Sequence, residues 1–137
     1  MQQAFPRSLD ELRNIVAFTE RFFAEHDIDD SLRYIVDLCT EELFVNMVTY
    51  DTETDADILV EMRPHERGVE VSITDFDVER FDPRTASPVD VEAPLEKRSP
   101  GGLGLFLVLK MVDSINYEYR NRQSRITFVA SRKASNV

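Results

Sequence analysis

Several residue types and patterns that commonly mark a function are scarce in this chain. Its 137 residues hold one cysteine, which excludes a disulfide framework. That residue, Cys39, falls in an apolar helical pattern and reads as reduced core packing. Apolar runs stay far short of the ~20 residues a membrane-spanning helix needs. The N-terminus has no basic start followed by an apolar block, so no secretory leader is expected, and a cytoplasmic setting fits. Positive charge is also in deficit: 16 Lys and Arg face 26 Asp and Glu, a formal net charge of −10. A nucleic-acid-binding face needs the opposite balance, which argues against direct contact with DNA or RNA. An acidic soluble surface explains the charge, and so does a partner with a basic surface.

Glycine is scarce as well, and its placement is informative. Of four glycines, three lie together in Pro100-Gly101-Gly102-Leu103-Gly104-Leu105, directly before the apolar stretch Phe106-Leu107-Val108-Leu109. A glycine-rich turn lets the backbone approach an anion, and a following helix start offers free N–H groups and a positive dipole end. A plain junction between loop and helix looks the same by spacing alone.

The remaining pattern is that of one domain over residues 1–137. Residues 1–6 form a short edge strand limited by Pro6. Ser8-Leu9-Asp10-Glu11 has the form of a capping box, in which Glu11 reaches back to the Ser8 N–H. Leu12, Ile15, Val16, Thr19, Phe22 and Phe23 mark the buried stripe of a helix ending near His26. A second helix starts at Asp29-Asp30-Ser31, buries Leu32, Ile35, Val36, Cys39 and Leu43, and runs to about Tyr50. Alternation at Ile58, Val60 and Met62, then at Val69, Val71 and Ile73, predicts a hairpin with His65 and Gly68 in its turn. Pro83, Pro88, Pro94 and Pro100 exclude long regular elements between Phe76 and the glycine turn. A third helix to about Asp113 and a last hairpin, 114–120 and 124–132, complete the order. The tail, 133–137, is expected to fray. The fold class is α/β (α+β): a two-layer sandwich with three helices on one face of a mixed, mostly antiparallel sheet.

Chemistry-bearing residues fall where these elements end. Glu42 and Asn46 stand one turn apart on the second helix and share a face. A Glu there can orient or deprotonate a nucleophile, and an Asn carbonyl oxygen is a hard ligand suited to Mg²⁺. An exposed polar stripe gives the same pattern. Asp75 closes a strand and can accept from an amino group such as adenine's; strand-ending Asp is also common in turns.

The series Glu42-x-x-x-Asn46, strand-end Asp75, a proline-rich loop and Gly101-Gly102-Leu103-Gly104-Leu105 resembles the GHKL (histidine-kinase-like) ATPase superfamily. Within it, the short chain looks like the stand-alone anti-sigma factor serine/threonine kinases of bacteria. Phe81-Asp82-Pro83 supports the match, which covers about residues 8–132. The resemblance implies ATP and Mg²⁺ as cofactors. Asn46 would bind the metal, Glu42 would be the general base toward a partner's hydroxyl, and Asp75 would receive the adenine amine. Gly101, Gly102, Leu103, Gly104 and Leu105 would close over the phosphates, with residues 76–100 as an ATP lid. It further implies a homodimer whose partners are a sigma factor and an anti-anti-sigma antagonist.

Two positions depart from the family. No glycine stands two residues after Asp75, where the chain has Asp77, a second candidate for the adenine contact. Tyr50 stands where relatives often have a basic or imidazole side chain. The alternative function is therefore a partner-switching binding module that keeps the scaffold without turnover. A detached histidine-kinase module is a third reading, although neither His26 nor His65 has a phosphoacceptor setting.

Overall fold

The computed structural model describes residues 1–50, 52, 54–78 and 110–132. Strand β1 (Gln2–Phe5) leads through a single 3-10 turn, Leu9–Glu11, into helix α1 (Leu12–His26). A second 3-10 turn, Asp30–Leu32, opens helix α2 (Arg33–Tyr50). Strands β2 (Ile58–His65), β3 (Gly68–Phe76), β4 (Ser114–Arg120) and β5 (Gln123–Ser131) follow. The five strands form one sheet in the order β1-β2-β3-β5-β4.

Each element follows from its local chemistry. On α1, Ile15, Phe18, Thr19, Phe22 and Phe23 are buried, a stripe at helical period. Val16, expected in that stripe, is 41% exposed, and Phe18 takes the inward place against Phe5. The helix stops where Asp27 enters the left-handed region at φ 53°, its N–H donating to the Phe23 carbonyl. The expected capping box forms only by half. Ser8 Oγ accepts from the Asp10 N–H, but the Ser8 N–H donates to the Pro6 carbonyl and Glu11 accepts from Asn14 instead. The cause is the intervening 3-10 turn, which places α1's first residue at Leu12. Asp29 caps the second turn by accepting from the Ser31 N–H at 2.8 Å, which lowers its carboxyl pKa; Arg132 contributes to the same shift.

The sheet is antiparallel at every pairing among the described residues, not mixed. β5 pairs with β3 along its full length, so the hairpin β4–β5 is inserted edge-on and no parallel crossover arises. Gly68 begins β3 rather than lying in the turn, which is Glu66-Arg67. A Cβ at Gly68 would meet the Ala130 carbonyl oxygen at 2.0 Å, so only glycine fits this approach to β5. His65, likewise expected in the turn, ends β2. The tight turn joining β4 to β5 uses Asn121 and Arg122, at φ 53° and 61°, as a primed two-residue hairpin requires.

The core lies between one sheet face and the two helices. Val60, Met62, Val69, Val71, Ile73, Ile126 and Phe128 meet Phe18, Phe22, Val36, Cys39, Leu43 and Phe44 there, all nearly or fully buried. Full burial of such a side chain stabilises by roughly 1.5–3 kcal/mol. The opposite face is polar, with Arg63 paired to Glu70 and the Ser72 and Thr127 hydroxyls 2.9 Å apart. A groove of about 180 Å³ on that face, lined in part by Glu61, Ser72 and Arg125, is turned away from the helices. The two-layer architecture is as expected. Two α-helices stand among the described residues, and Lys110 and Met111 are helical. The glycine turn, most of the expected third helix and the tail lie outside the described residues.

Candidate functional site

Alternation along β3 decides the setting of Asp75. Residues 69, 71 and 73 face the helices, and position 75 continues that row. Asp75 is fully buried at the end of a strand. A buried carboxylate needs a partner, and Arg7 supplies it. Arg7 lies in the short segment between β1 and α1, and its Nη2 pairs with Asp75 Oδ1. Its Nη1 donates to the Met47 carbonyl oxygen at 3.0 Å. Met47 lies in the last turn of α2, where carbonyls lack an intrahelical partner and a cation complements the helix dipole. Arg7 therefore ties the N-terminal segment, the end of α2 and the end of β3 together. Asp75 Oδ2 is buried and has no hydrogen-bond partner among the described residues. A buried acceptor lacking a donor suits an amine brought by a ligand, as on the edge of adenine.

The other expected site residues on α2 lie toward the same end of the helix. Asn46 is half-buried and precedes Met47. Glu42, one turn earlier, is half-buried too; burial, and then the neighbouring Glu41 charge, push its carboxyl above the usual carboxylate range. A carboxylate shifted that way is a better base near neutrality. Tyr50 ends the helix, half in solvent.

Asp77 has a different setting. It is exposed, with φ 57°, the left-handed conformation that glycine favours and Asp tolerates. The missing family glycine is thus replaced by a residue that adopts a glycine-like backbone. Arg122 Nε donates to Asp77 Oδ1 at 2.9 Å. The next residue, Val78, is buried, its N–H donating to the Arg122 carbonyl and its carbonyl accepting from Tyr119 Oη at 2.8 Å. Residues 76–78, the first of the expected lid, are therefore fastened to the β4–β5 hairpin. The structure brings Asp75 and α2's C-terminal turn together through Arg7, while Asp77 is held apart on the surface. The remainder of the expected lid lies outside the described residues, as do Gly101, Gly102, Leu103, Gly104 and Leu105.

Arg7 had no signal in the sequence that points to the site: it stands 68 residues from Asp75 and outside any periodic pattern. Among the described residues no cluster of three or more His, Cys, Asp or Glu could hold a metal ion, and no helix is long and apolar enough to cross a membrane.

The fold is thus an antiparallel sheet with helices on one face and a buried carboxylate at a strand end beside the last turn of a helix. The sequence matches the histidine kinase-like ATPase domain family over residues 5–130, and the chain belongs to that family. Membership implies ATP as the ligand. No curated protein matches. In fold the chain is similar to the RsbU and RsbW domains of Rv1364c from Mycobacterium tuberculosis, with TM-score 0.67 and 15% identity over 96% of this chain and 31% of that one. It thus corresponds to part of that protein. It is also similar to the Acinetobacter baumannii histidine kinase AdeS, with TM-score 0.51 and 16% identity over 96% of this chain and 67% of that one. At these identities the likeness is one of fold.

Proposed function

We propose that this protein is an anti-sigma regulatory factor that uses ATP to phosphorylate a serine or threonine of an antagonist protein, and otherwise holds a sigma factor. The observation that carries the reading is the buried Asp75 with one oxygen lacking a donor, beside the helix that bears Glu42 and Asn46. Asp75 receives the adenine amine. Glu42, poised upward by burial, accepts the proton of the attacking hydroxyl. Asn46 would hold Mg²⁺ through its side-chain carbonyl oxygen, a hard donor suited to this ion. Bound there, the metal would supply neutralisation of phosphate charge, and the chain's own contribution is positioning, which does most of the rest of phosphoryl transfer. The glycine turn from Gly101 to Leu105 would take the phosphates, and the expected lid beyond residue 78 would cover them. Fold similarity to a structure containing an RsbW domain supports the regulatory role. The setting is cytoplasmic and the working unit a homodimer.

The test is incubation with labelled ATP, Mg²⁺ and candidate antagonists, with wild type beside Glu42→Gln. Acid-stable phosphate on the antagonist from wild type alone is the expected result. Acid-labile phosphate would instead place the chain with histidine-directed kinases. Transfer by Glu42→Gln at the wild-type rate removes the catalytic role of Glu42.

A binding module without turnover is the second reading. The observation in its favour is Asp77 standing, with its charge, at the family's glycine position. Calorimetry separates the two readings. Micromolar ATP affinity supports the kinase, and no binding at millimolar ligand supports the module.

A further inference from the structure

We propose that Arg7 is a positioning residue that sets the purine specificity of this site, making it select adenine over guanine. The inference rests on the reading of Asp75 as the base-recognising carboxylate. A free carboxylate has two acceptor oxygens. Held open, it accepts either one amine, as on adenine, or the paired N1–H and 2-amino donors of guanine, one to each oxygen. Here the choice is already made. Arg7 Nη2 occupies Oδ1, and Oδ2 alone is left without a donor in a fully buried setting. One vacant acceptor matches the single 6-amino donor on the edge of adenine. The guanine edge brings two donors and a carbonyl oxygen, so one donor loses its partner and the carbonyl oxygen approaches a buried carboxylate. Both are strongly unfavourable away from water.

The geometry that fixes Arg7 makes this selection rigid. The Arg7 side chain is only 8% exposed, and its second terminal nitrogen donates to the Met47 carbonyl at 3.0 Å. The planar fork therefore bridges two elements of the fold, and Asp75 cannot turn Oδ1 toward a ligand without breaking that bridge. Lysine, a point charge on a flexible stem, does not reproduce a fork.

The experiment measures binding of ATP and GTP separately, with Mg²⁺, to wild type, Arg7→Gln and Arg7→Lys, with circular dichroism to establish that each is folded. Wild type should favour ATP by roughly tenfold or more, since sites with buried polar groups reject ligands that leave them unpaired. Arg7→Gln should lose about tenfold of that preference, chiefly by gaining GTP. Arg7→Lys, which keeps the charge, should fall between them and carries the comparison if Arg7→Gln does not fold. Equal wild-type affinity for ATP and GTP overturns the proposal without any variant. So does a folded Arg7→Lys with the wild-type ratio, which would make Arg7 structural only, or an Arg7 variant that binds ATP more tightly, which would make it a plug. Wild type that binds neither nucleotide is a different outcome: it overturns the ATP-dependent function itself, and this specificity with it.

Discussion

Replacing Arg7 with methionine should destabilise the protein more than its place in a short connecting segment suggests. The substitution keeps much of the side-chain volume and removes the charge. It leaves Asp75 fully buried without its cation, and the Met47 carbonyl without its donor. Removing one partner of a buried ion pair costs about 3–5 kcal/mol, because the remaining charge is desolvated and unpaired. With an unfolding entropy of about 2.1 cal/mol/K per residue, a chain of 137 residues should lose about 10–17 °C of thermal midpoint. Asp75→Asn is the counterpart. Its amide oxygen can still accept from Arg7, so its loss should be smaller, about 1.5–3 kcal/mol. The informative measurement is the double-mutant cycle, read by urea denaturation with circular dichroism. Once Arg7 is gone, removing the Asp75 charge relieves a penalty instead of adding one. The double variant should therefore be more stable than the sum of the single losses implies, by about 1–3 kcal/mol. Additive losses, or an Arg7→Met variant within about 0.5 kcal/mol of wild type, would refute the buried pair as the link between the N-terminal segment and β3.

Three further outcomes follow from other parts of the structure. Glu42→Gln should lower phosphotransfer by about 10²-fold or more while leaving the thermal midpoint equal to or above wild type, since burial penalises the charged form of Glu42. The folded pKa of Glu42 lies above the unfolded one, so the variant's stability advantage should be greatest above the folded value, shrink as pH falls through it, and vanish only below the unfolded value; a variant clearly less stable at neutral pH contradicts this. Gly68→Ala should cost about 1–3 kcal/mol in chemical denaturation, because the new methyl meets β5 backbone at 2.0 and 2.6 Å; an unchanged midpoint would show that β3 and β5 part more easily than their register implies. Burial pushes the Cys39 thiol up to about 12, so labelling by a thiol reagent at neutral pH should proceed at the rate of unfolding, and rapid labelling of folded protein would place Cys39 outside the core.

What the sequence disclosed was what local chemistry determines. Period-two alternation at positions 58, 60 and 62 and at 69, 71 and 73 placed β2 and β3, and by the same parity placed Asp75 on the helix-facing side. Helical period and Asp29 placed α2. The misreadings all arose where a second element intervened. Val16 and Phe18 stand two residues apart, on opposite sides of one helix, and contact with Phe5 on β1 selects the phenylalanine. Gly68 looked like a turn residue because its reason is the Ala130 carbonyl on β5, far along the chain. A mixed sheet remained possible while nothing local said which strand would pair with β3.

The candidate site shows the same division more sharply. Its candidate residues belong to compact motifs, but the end of β3 is held by partners from both ends of the chain. Arg7 reaches Asp75 across 68 residues, Arg122 reaches Asp77 across 45, and Tyr119 reaches Val78 across 41. The strand order makes this possible: pairing β5 with β3 brings the Asn121-Arg122 turn beside Asp77, while β1 on the outer side of β2 delivers Arg7 over the end of α2. A motif that reads as local in sequence is thus positioned by three long-range contacts. A change in how the N-terminal segment or the last hairpin packs would therefore act directly on Asp75 or on the first residues of the expected lid, without any substitution in the motif itself.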